Sequence, residues 1–169
     1  MSNIKSKWQH RALLLCFVSL LSLNLQAREI FGEVVAITDG DTLTVLDNEH
    51  IQHKIRLSGI DAPERRQPFG QQAREMLSSL VFHKQVEVLT HKTDFRRRAI
   101  GKVRVDGLDV SLALVTAGLA WHYKQYKSEQ KPSDRTLYSQ VEVLAREQRL
   151  GLWSAENPVP PWDWRRSRR

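Results

Sequence analysis

The stretch Ile55–Glu64, IRLSGIDAPE, decides the fold. Apolar and polar residues alternate over its first four positions, as in a half-buried β-strand, and Pro63 is incompatible with the strand continuing. The stretch also carries three charged residues, Arg56, Asp61 and Glu64. Two interpretations are open: a strand capped by a solvated acidic turn, or one wall of a site held at a rigid strand end.

The spacing of Arg56 and Asp61 sets a condition for the second interpretation. Residues five apart lie on opposite faces of a straight strand, because successive side chains alternate in direction. The two side chains share a site only if the chain bends near Gly59 or the strand ends before Asp61. We therefore predict a break in the strand within this stretch.

The preceding sequence predicts a meander of three strands. Most of its apolar residues are β-formers, Asp39-Gly40 is typical of a hairpin turn, and Asp47-Asn48 indicates a second turn. The predicted strands are residues 31–38, 42–47 and 51–60.

The sequence after this stretch predicts helices and two more strands. Apolar residues recur at helical spacing over Gly70–Phe82, Val110–Ala117 and Ser133–Leu150. Period-two alternation returns over residues 85–90 and 99–105, with a polar loop between them. Five mostly antiparallel strands with a helix after the third indicate an α+β fold, mainly β: a five-stranded OB-type barrel with three helices.

The first 27 residues are typical of an export signal. Three cations precede an apolar run that is too short to span a bilayer, and the small residue Ala27 follows it. An uncleaved anchor is the alternative. We expect residues 28–157 to form the functional domain and residues 158–169 a tail rich in Pro, Trp and Arg. The signal implies a periplasmic or secreted protein. Because residues 28–169 contain no cysteine to form a disulfide, we expect that protein to be held together by packing alone.

The positive charge is concentrated at the two ends of the chain. The net charge is +7, of which the first 27 residues contribute +3 and residues 163–169 another +3. The remaining body is close to neutral, with one basic cluster at Phe95–Ala99. A polyanionic partner is compatible with this distribution but is not required by it. The tail either follows phosphates and stacks on bases or is untethered and adds only solubility.

Carboxylates and arginines in this chain suit phosphodiester chemistry if the fold gathers them. The hairpin places Asp41 near the end of the third strand, where it approaches Asp61. Two adjacent carboxylates repel unless a cation lies between them, and an all-oxygen site favours Ca²⁺ or Mg²⁺. Glu64 is a candidate general base, and Arg56 and Arg98 are candidate phosphate clamps. The plain alternatives are turn aspartates and solvated arginines.

Four separate motifs resemble the staphylococcal nuclease family. They are ITDGDT, IRLSGIDAPE, the D-x-x-x-R run at Asp94–Arg98 and the E-x-x-A-R-x-x-x-x-G-L-W pattern at Glu142–Trp153. The resemblance extends from about Glu33 to Trp153. It implies a five-stranded OB barrel with three helices, and an enzyme that cuts DNA and RNA with Ca²⁺ and leaves 3′-phosphate and 5′-hydroxyl ends.

The resemblance also implies a role for each matching residue. The calcium ligands would be Asp41, Asp61 and the main-chain carbonyl of Ala62, with Asp39 behind them. Glu64 would activate or position the attacking water, Arg56 and Arg98 would clamp the phosphate, and Tyr123 and Tyr126 would line the nucleotide pocket. Arg98 is chosen among three adjacent arginines because Ile100-Gly101 follows it at the offset seen in the family.

Two functions from different classes follow. The first is an exported, Ca²⁺-dependent nuclease, monomeric and without stable membrane association after signal cleavage, that prefers single-stranded DNA and RNA. The second is a catalytically silent OB module that only binds nucleic acid. A silent module has no need of the five residues Asp41, Arg56, Asp61, Glu64 and Arg98, and this chain has them all.

Overall fold

A computed structural model describes residues 28–168, and its strands form a closed barrel. The strands are β1 Arg28–Asp39, β2 Thr42–Asp47, β3 Gln52–Leu57, β4 Ile60–Asp61, β5 Gln85–Thr93, β6 Ala99–Val105, β7 Leu108–Asp109 and β8 Trp121–His122. The sheet order is β3-β2-β1-β5-β6, and β3 also pairs in parallel with β6, which closes the barrel. The predicted five-stranded barrel is therefore confirmed.

The described residues contain one α-helix more than the three expected. The additional helix, α4, has proline at its first position, Asp163 in its first turn and basic residues in its last turn. These choices suit a short helix, because proline fixes a helical φ and the charges complement the helix dipole. The helices are α1 Gly70–Val81, α2 Val110–Thr116, α3 Pro132–Glu147 and α4 Pro161–Arg166, with 3₁₀ turns at Lys124–Glu129 and Gly151–Ser154.

The third strand is shorter than predicted, and the predicted break is confirmed. β3 ends at Leu57, and Gly59 takes a positive φ of 76° that only glycine adopts readily. The chain then resumes as β4, which pairs with β8 rather than continuing the barrel. β5, in contrast, is longer than predicted and reaches Thr93, because a register shift between Thr90 and Lys92 lets it keep pairing with β6.

Two apolar clusters hold these elements together. The larger fills the barrel and includes the buried face of α1, which is formed by Ala73, Leu77 and Val81. The smaller contains Trp121, Ala145, Leu152 and Trp153, and Phe69 and Trp162 pack against it. The smaller cluster joins α3 and the C-terminal segment to the end of the barrel where β4 lies.

The predicted signal peptide, residues 1–27, and residue 169 lie outside the described residues. Between residues 28 and 168, no helix combines the length and the apolar character that crossing a membrane requires.

Candidate active site

Two buried carboxylates meet on one arginine at the end of the barrel. Asp41 lies in the β1–β2 turn and is 1% exposed, and Asp61 ends β4 and is fully buried. Nη1 of Arg56 donates to Oδ1 of Asp41, and Nη2 donates to Oδ1 of Asp61 over 2.6 Å. The break at Gly59 thus brings together residues that a straight strand would separate.

Burial and neighbouring acids disfavour the ionised form of Asp41. Desolvation raises the pKa of Asp41 to about 8; the charge of Arg56 opposes this increase, and Asp39 and Asp61 add to it. Asp39 also accepts a hydrogen bond from the N–H of Asp41 over 3.2 Å. Burial lowers the pKa of Arg56, because it disfavours the charged guanidinium. The charges of Asp41 and Asp61 outweigh this effect, so the pKa of Arg56 is raised.

The donor set at this point suits a hard cation. The N–H of Ala62 donates to Oδ2 of Asp41 over 2.7 Å, so the backbone predicted to supply a carbonyl ligand lies beside the carboxylate. The two buried carboxylates already converge on a cationic group, as ligands of Ca²⁺ or Mg²⁺ must. Within residues 28–168, no three His, Cys, Asp or Glu side chains form a metal-binding group. A metal here would therefore rely on two carboxylates, backbone oxygen and water.

Glu64 is held beside this pair by its own loop. Its N–H donates to Oε1 of Gln67 over 3.1 Å, and its carbonyl accepts from the N–H of Gln67 over 2.7 Å. The loop packs tightly on the start of α1, because a side chain at Gly70 would come within 2.0 Å of the Glu64 carbonyl oxygen. These contacts fix the backbone at Glu64 and so limit the positions that its carboxylate can take.

Arg165 of α4 is the site residue that the sequence did not reveal. Its Nη2 donates to Oδ2 of Asp61 over 2.7 Å and its Nη1 to Oε1 of Glu64, also over 2.7 Å. The hydrogen bonds to Asp61 are the main reason that the pKa of Arg165 is raised. The resemblance ends at Trp153, so the arginine-rich composition of the tail was the only available signal.

Arg98 reaches the site through one hydroxyl. Its Nη1 donates to Oγ1 of Thr42 over 3.3 Å, and that hydroxyl donates to Oδ1 of Asp41 over 3.2 Å. Asp94 holds the guanidinium through Nε over 2.8 Å. Burial raises the pKa of Asp94, but the hydrogen bonds from the backbone and side chain of Arg98 outweigh it and leave the pKa lowered. Arg98 is thus the oriented member of its run, whereas Arg96 and Arg97 are exposed.

The two candidate pocket tyrosines adjoin the same end of the barrel. The N–H of Tyr123 donates to the carbonyl of Gly59 over 2.9 Å, which ties Tyr123 to the strand break. The Tyr123 ring stacks on Trp162 with centroids 5.3 Å apart, and the Tyr126 ring lies edge-on to the Tyr123 ring with centroids 5.2 Å apart. Tyr123 lines a cleft of about 330 Å³ with Trp162. Tyr126 does not line this cleft and is exposed.

Comparison with known proteins agrees with this geometry. Residues 54–155 match the family described as staphylococcal nuclease homologue. The chain belongs to the staphylococcal nuclease family. The match begins two residues before Arg56 and ends before α4, so Arg165 lies beyond it.

Several proteins of this family resemble the chain over most of its length. A protein from Escherichia coli named an uncharacterized endonuclease is 41% identical over 138 residues, covering 81% of this chain and 86% of its own. A protein from Shigella flexneri named micrococcal nuclease is 41% identical over 145 residues, covering 80% of each chain. An uncharacterized endonuclease from Haemophilus influenzae is 39% identical over 133 residues, covering 79% of this chain and 71% of its own.

Proposed function

We propose that this staphylococcal nuclease homologue is a Ca²⁺-dependent nuclease that hydrolyses phosphodiester bonds of DNA and RNA with little sequence preference and leaves 3′-phosphate ends. The convergence of Asp41, Asp61 and Arg56 at the end of a closed barrel carries the proposal. Two buried carboxylates suit a cation, and a guanidinium beside them suits the phosphate that the cation would bind. The names of the relatives, which include endonuclease and micrococcal nuclease, support the same reaction.

Each residue has a chemical task in this proposal. Asp41, Asp61 and the Ala62 carbonyl would hold Ca²⁺, which when bound supplies positive charge against the phosphoryl oxygens. Glu64 accepts a proton from water as the water oxygen bonds to phosphorus. The bond from phosphorus to the 5′ oxygen breaks, and the departing 5′ oxygen takes up a proton from solvent water to become a hydroxyl. The phosphate stays on the 3′ oxygen.

The positions of Glu64 and Arg56 in the structure are compatible with these tasks. Arg165 donates to Oε1 of Glu64, and no described residue donates a hydrogen bond to Oε2, which leaves that oxygen for a water. Arg56 uses two of its five N–H donors on Asp41 and Asp61. The remaining donors, with those of Arg98, suit the equatorial oxygens whose charge grows during attack.

Cleavage of nucleic acid by the purified chain from Arg28 tests the proposal. We expect single-stranded DNA and RNA to be degraded with Ca²⁺ and to survive in EDTA. Glu64→Gln and Arg56→Ala should each lower the rate about 10²- to 10⁴-fold, because both act in the transition state. Glu75→Gln is the matched control: Glu75 is an exposed glutamate of α1, hydrogen-bonded only to Gln71 among the described side chains, and its variant should keep the full rate.

Two results would contradict the proposal. Undiminished cleavage in EDTA would reject the metal, and binding of nucleic acid without cleavage in any divalent cation would favour a silent OB module. The product ends are checked directly: fragments with 5′-hydroxyls accept phosphate from polynucleotide kinase without prior dephosphorylation.

Export, a monomeric state and preference for single strands complete the proposal. The basic and apolar pattern of the first 27 residues supports export. A barrel that holds its substrate by the backbone supports low sequence preference, and single strands suit an OB groove. Cell fractionation, size-exclusion chromatography and competition between single- and double-stranded substrates test these three points.

A further inference from the structure

A basic cleft of about 460 Å³ adjoins the candidate active site, with which it shares Glu64 and Arg165. Three separate parts of the chain form it: the turn after β4, the turn before β6 and helix α4. Its lining beyond Glu64 is formed by Arg65, Arg66, Arg96, Trp164, Arg165 and Arg168.

The cations of this cleft are largely uncompensated. Arg165 pairs with Asp61 and Glu64, but within residues 28–168 no ion pair involves Arg65, Arg66, Arg96 or Arg168. Glu64 is the only acid that lines the cleft. Gathering like charges costs free energy, and a polyanion placed among them would remove that cost.

Helix α4 is fixed firmly enough to build one wall of the cleft. Nε2 of Gln67 donates to the carbonyl of Val159 over 2.6 Å, just before the helix. The Trp162 ring lies edge-on to Trp121 at 5.5 Å. The guanidinium of Arg168 lies 4.1 Å from the centroid of the Trp164 ring, a cation–π contact that holds this cation at the cleft.

We propose that this cleft is a second binding site for the substrate backbone, which holds phosphates of a single-stranded nucleic acid that flank the phosphate being cut. Arg165 connects the cleft to the candidate active site, since it contacts Glu64 and Asp61, and the four arginines that lack an ion pair within the described residues line the rest of the cleft. Guanidinium groups fit phosphates through paired N–H donors and carry no information about base sequence. The inference rests on the proposed nuclease function and adds where the rest of the strand lies.

Binding of a fluorescein-labelled twelve-residue oligothymidine in EDTA tests the proposal without cleavage. The test variant is Arg65→Ala/Arg66→Ala/Arg96→Ala, which leaves every residue assigned to catalysis in place. The matched control, Lys54→Ala/Lys84→Ala/Arg104→Ala, removes three exposed cations that do not line the cleft. Circular dichroism and thermal melting of both variants confirm that they fold.

Fluorescence anisotropy over a salt series should separate the two variants. Each lost phosphate contact lowers the slope of log affinity against log salt by about 0.7 for a single strand, so the test variant should lose about 2. At 0.1 M salt this corresponds to a roughly 10- to 100-fold weaker affinity. The control variant should retain most of the wild-type slope.

Three results would overturn the inference. The first is an unchanged salt slope in the test variant, and the second is an equal loss of slope in the control variant. The third is a test variant that binds inorganic polyphosphate more weakly but binds oligothymidine as tightly as the wild type does. The last would assign the cleft to a free polyanion. Because binding is measured without metal, its outcome does not depend on cleavage. A chain that bound oligothymidine at this cleft but cleaved no nucleic acid would reject the proposed function and retain the second binding site.

Discussion

At the scale of single residues, Arg56 and Arg165 together hold the three acidic side chains of the site. Asp61 accepts hydrogen bonds from both guanidinium groups, Asp41 accepts from Arg56 and Glu64 accepts from Arg165. A divalent cation bound by Asp61 would have to compete with Arg165 for the same oxygens. We therefore expect Arg165 to weaken the affinity of this site for a metal.

Arg165→Ala should therefore strengthen metal binding. Removing a positive charge within hydrogen-bond distance of Asp61 should raise Ca²⁺ affinity by roughly tenfold, as measured by isothermal titration calorimetry without substrate. Arg166→Ala is the control, because Arg166 is the next residue of the same helix and pairs with Asp163 instead. Equal affinity in the wild type and Arg165→Ala would show that the Asp61 contact does not compete with metal.

Metal binding should also depend on pH through Asp41. Its pKa is raised to about 8, above its usual value, so in the metal-free protein the carboxyl holds a proton below that pH and loses it above. A cation requires the ionised form, and Ca²⁺ affinity should rise about tenfold per pH unit up to about pH 8 and level off beyond it. Calorimetry in buffers of different ionisation enthalpy should detect about one released proton at pH 6.5 and almost none at pH 9. No release at pH 6.5 would contradict the prediction.

At the scale of elements, the turn at Ser58–Gly59 links the third strand to the site. It ends β3, turns the chain into β4 and lets Tyr123 bond to the Gly59 carbonyl. Glycine is needed for two reasons: its φ is positive, and an added Cβ would lie 2.1 Å from Nε2 of Gln130 and 3.2 Å from the Tyr138 ring.

Gly59→Ala should cost more stability than Gly107→Ala. Both glycines have positive φ, of 76° and 79°, but nothing lies within 4 Å of a Cβ added at Gly107. Gly107→Ala should cost about 1 kcal/mol from backbone strain alone, and Gly59→Ala about 2–3 kcal/mol because packing must also shift. Urea denaturation measures both. Gly59→Ala alone should also weaken Ca²⁺ binding, and equal costs for the two variants would refute the packing argument.

Local sequence patterns predicted the elements whose signals are local. Helical spacing over Gly70–Phe82 matches α1, Gly70–Val81, within one residue, and the need to join Arg56 with Asp61 predicted the strand break. The extension of β5 to Thr93 was missed because a bulge adapts a polar segment to its neighbour. Helix α4 was missed because six residues carry no periodic signal, and its place is set by the contacts of Trp162 with Trp121 and Tyr123, which lie far away in sequence.

The candidate site was likewise predicted only for the residues that lie in recognisable motifs. Motifs predicted that Asp41, Arg56 and Asp61 would meet, and they do. The contact of Arg165 with Glu64 joins distant parts of the sequence, so no local spacing predicts it.

At the scale of the whole molecule, the C-terminal segment forms part of the end of the barrel that carries the candidate active site. Trp162 packs against the second apolar cluster, Gln67 fixes Val159, and Arg165 enters the site. The segment that carries much of the chain's positive charge is thus placed where the substrate would lie.

Trp162→Ala should release this segment while leaving the barrel intact. Loss of the stacked contact with Tyr123 and the edge contact with Trp121 removes the main apolar anchor of α4. Limited trypsin digestion should then cut at Arg165 or Arg166 at least about tenfold faster, while the thermal transition of the barrel shifts by only a few degrees. Phe95→Ala is the control, because that ring is 89% exposed and belongs to neither apolar cluster. Unchanged digestion would show that α4 is held by other contacts.

The parallel pairing of β3 with β6 has a consequence for when the protein becomes active. Arg56 lies on β3, and Arg98 immediately precedes β6; the two strands meet in register at Ile55 with Ala99 and at Arg56 with Ile100. This seam joins segments more than forty residues apart, so its closure has a larger chain-entropy cost than the hairpins do. A chain that has formed its hairpins but not this seam has both arginines without the arrangement proposed to clamp a phosphate. Hydrolytic competence would then emerge only with the completed barrel, which would keep a nascent chain harmless to the nucleic acids around it.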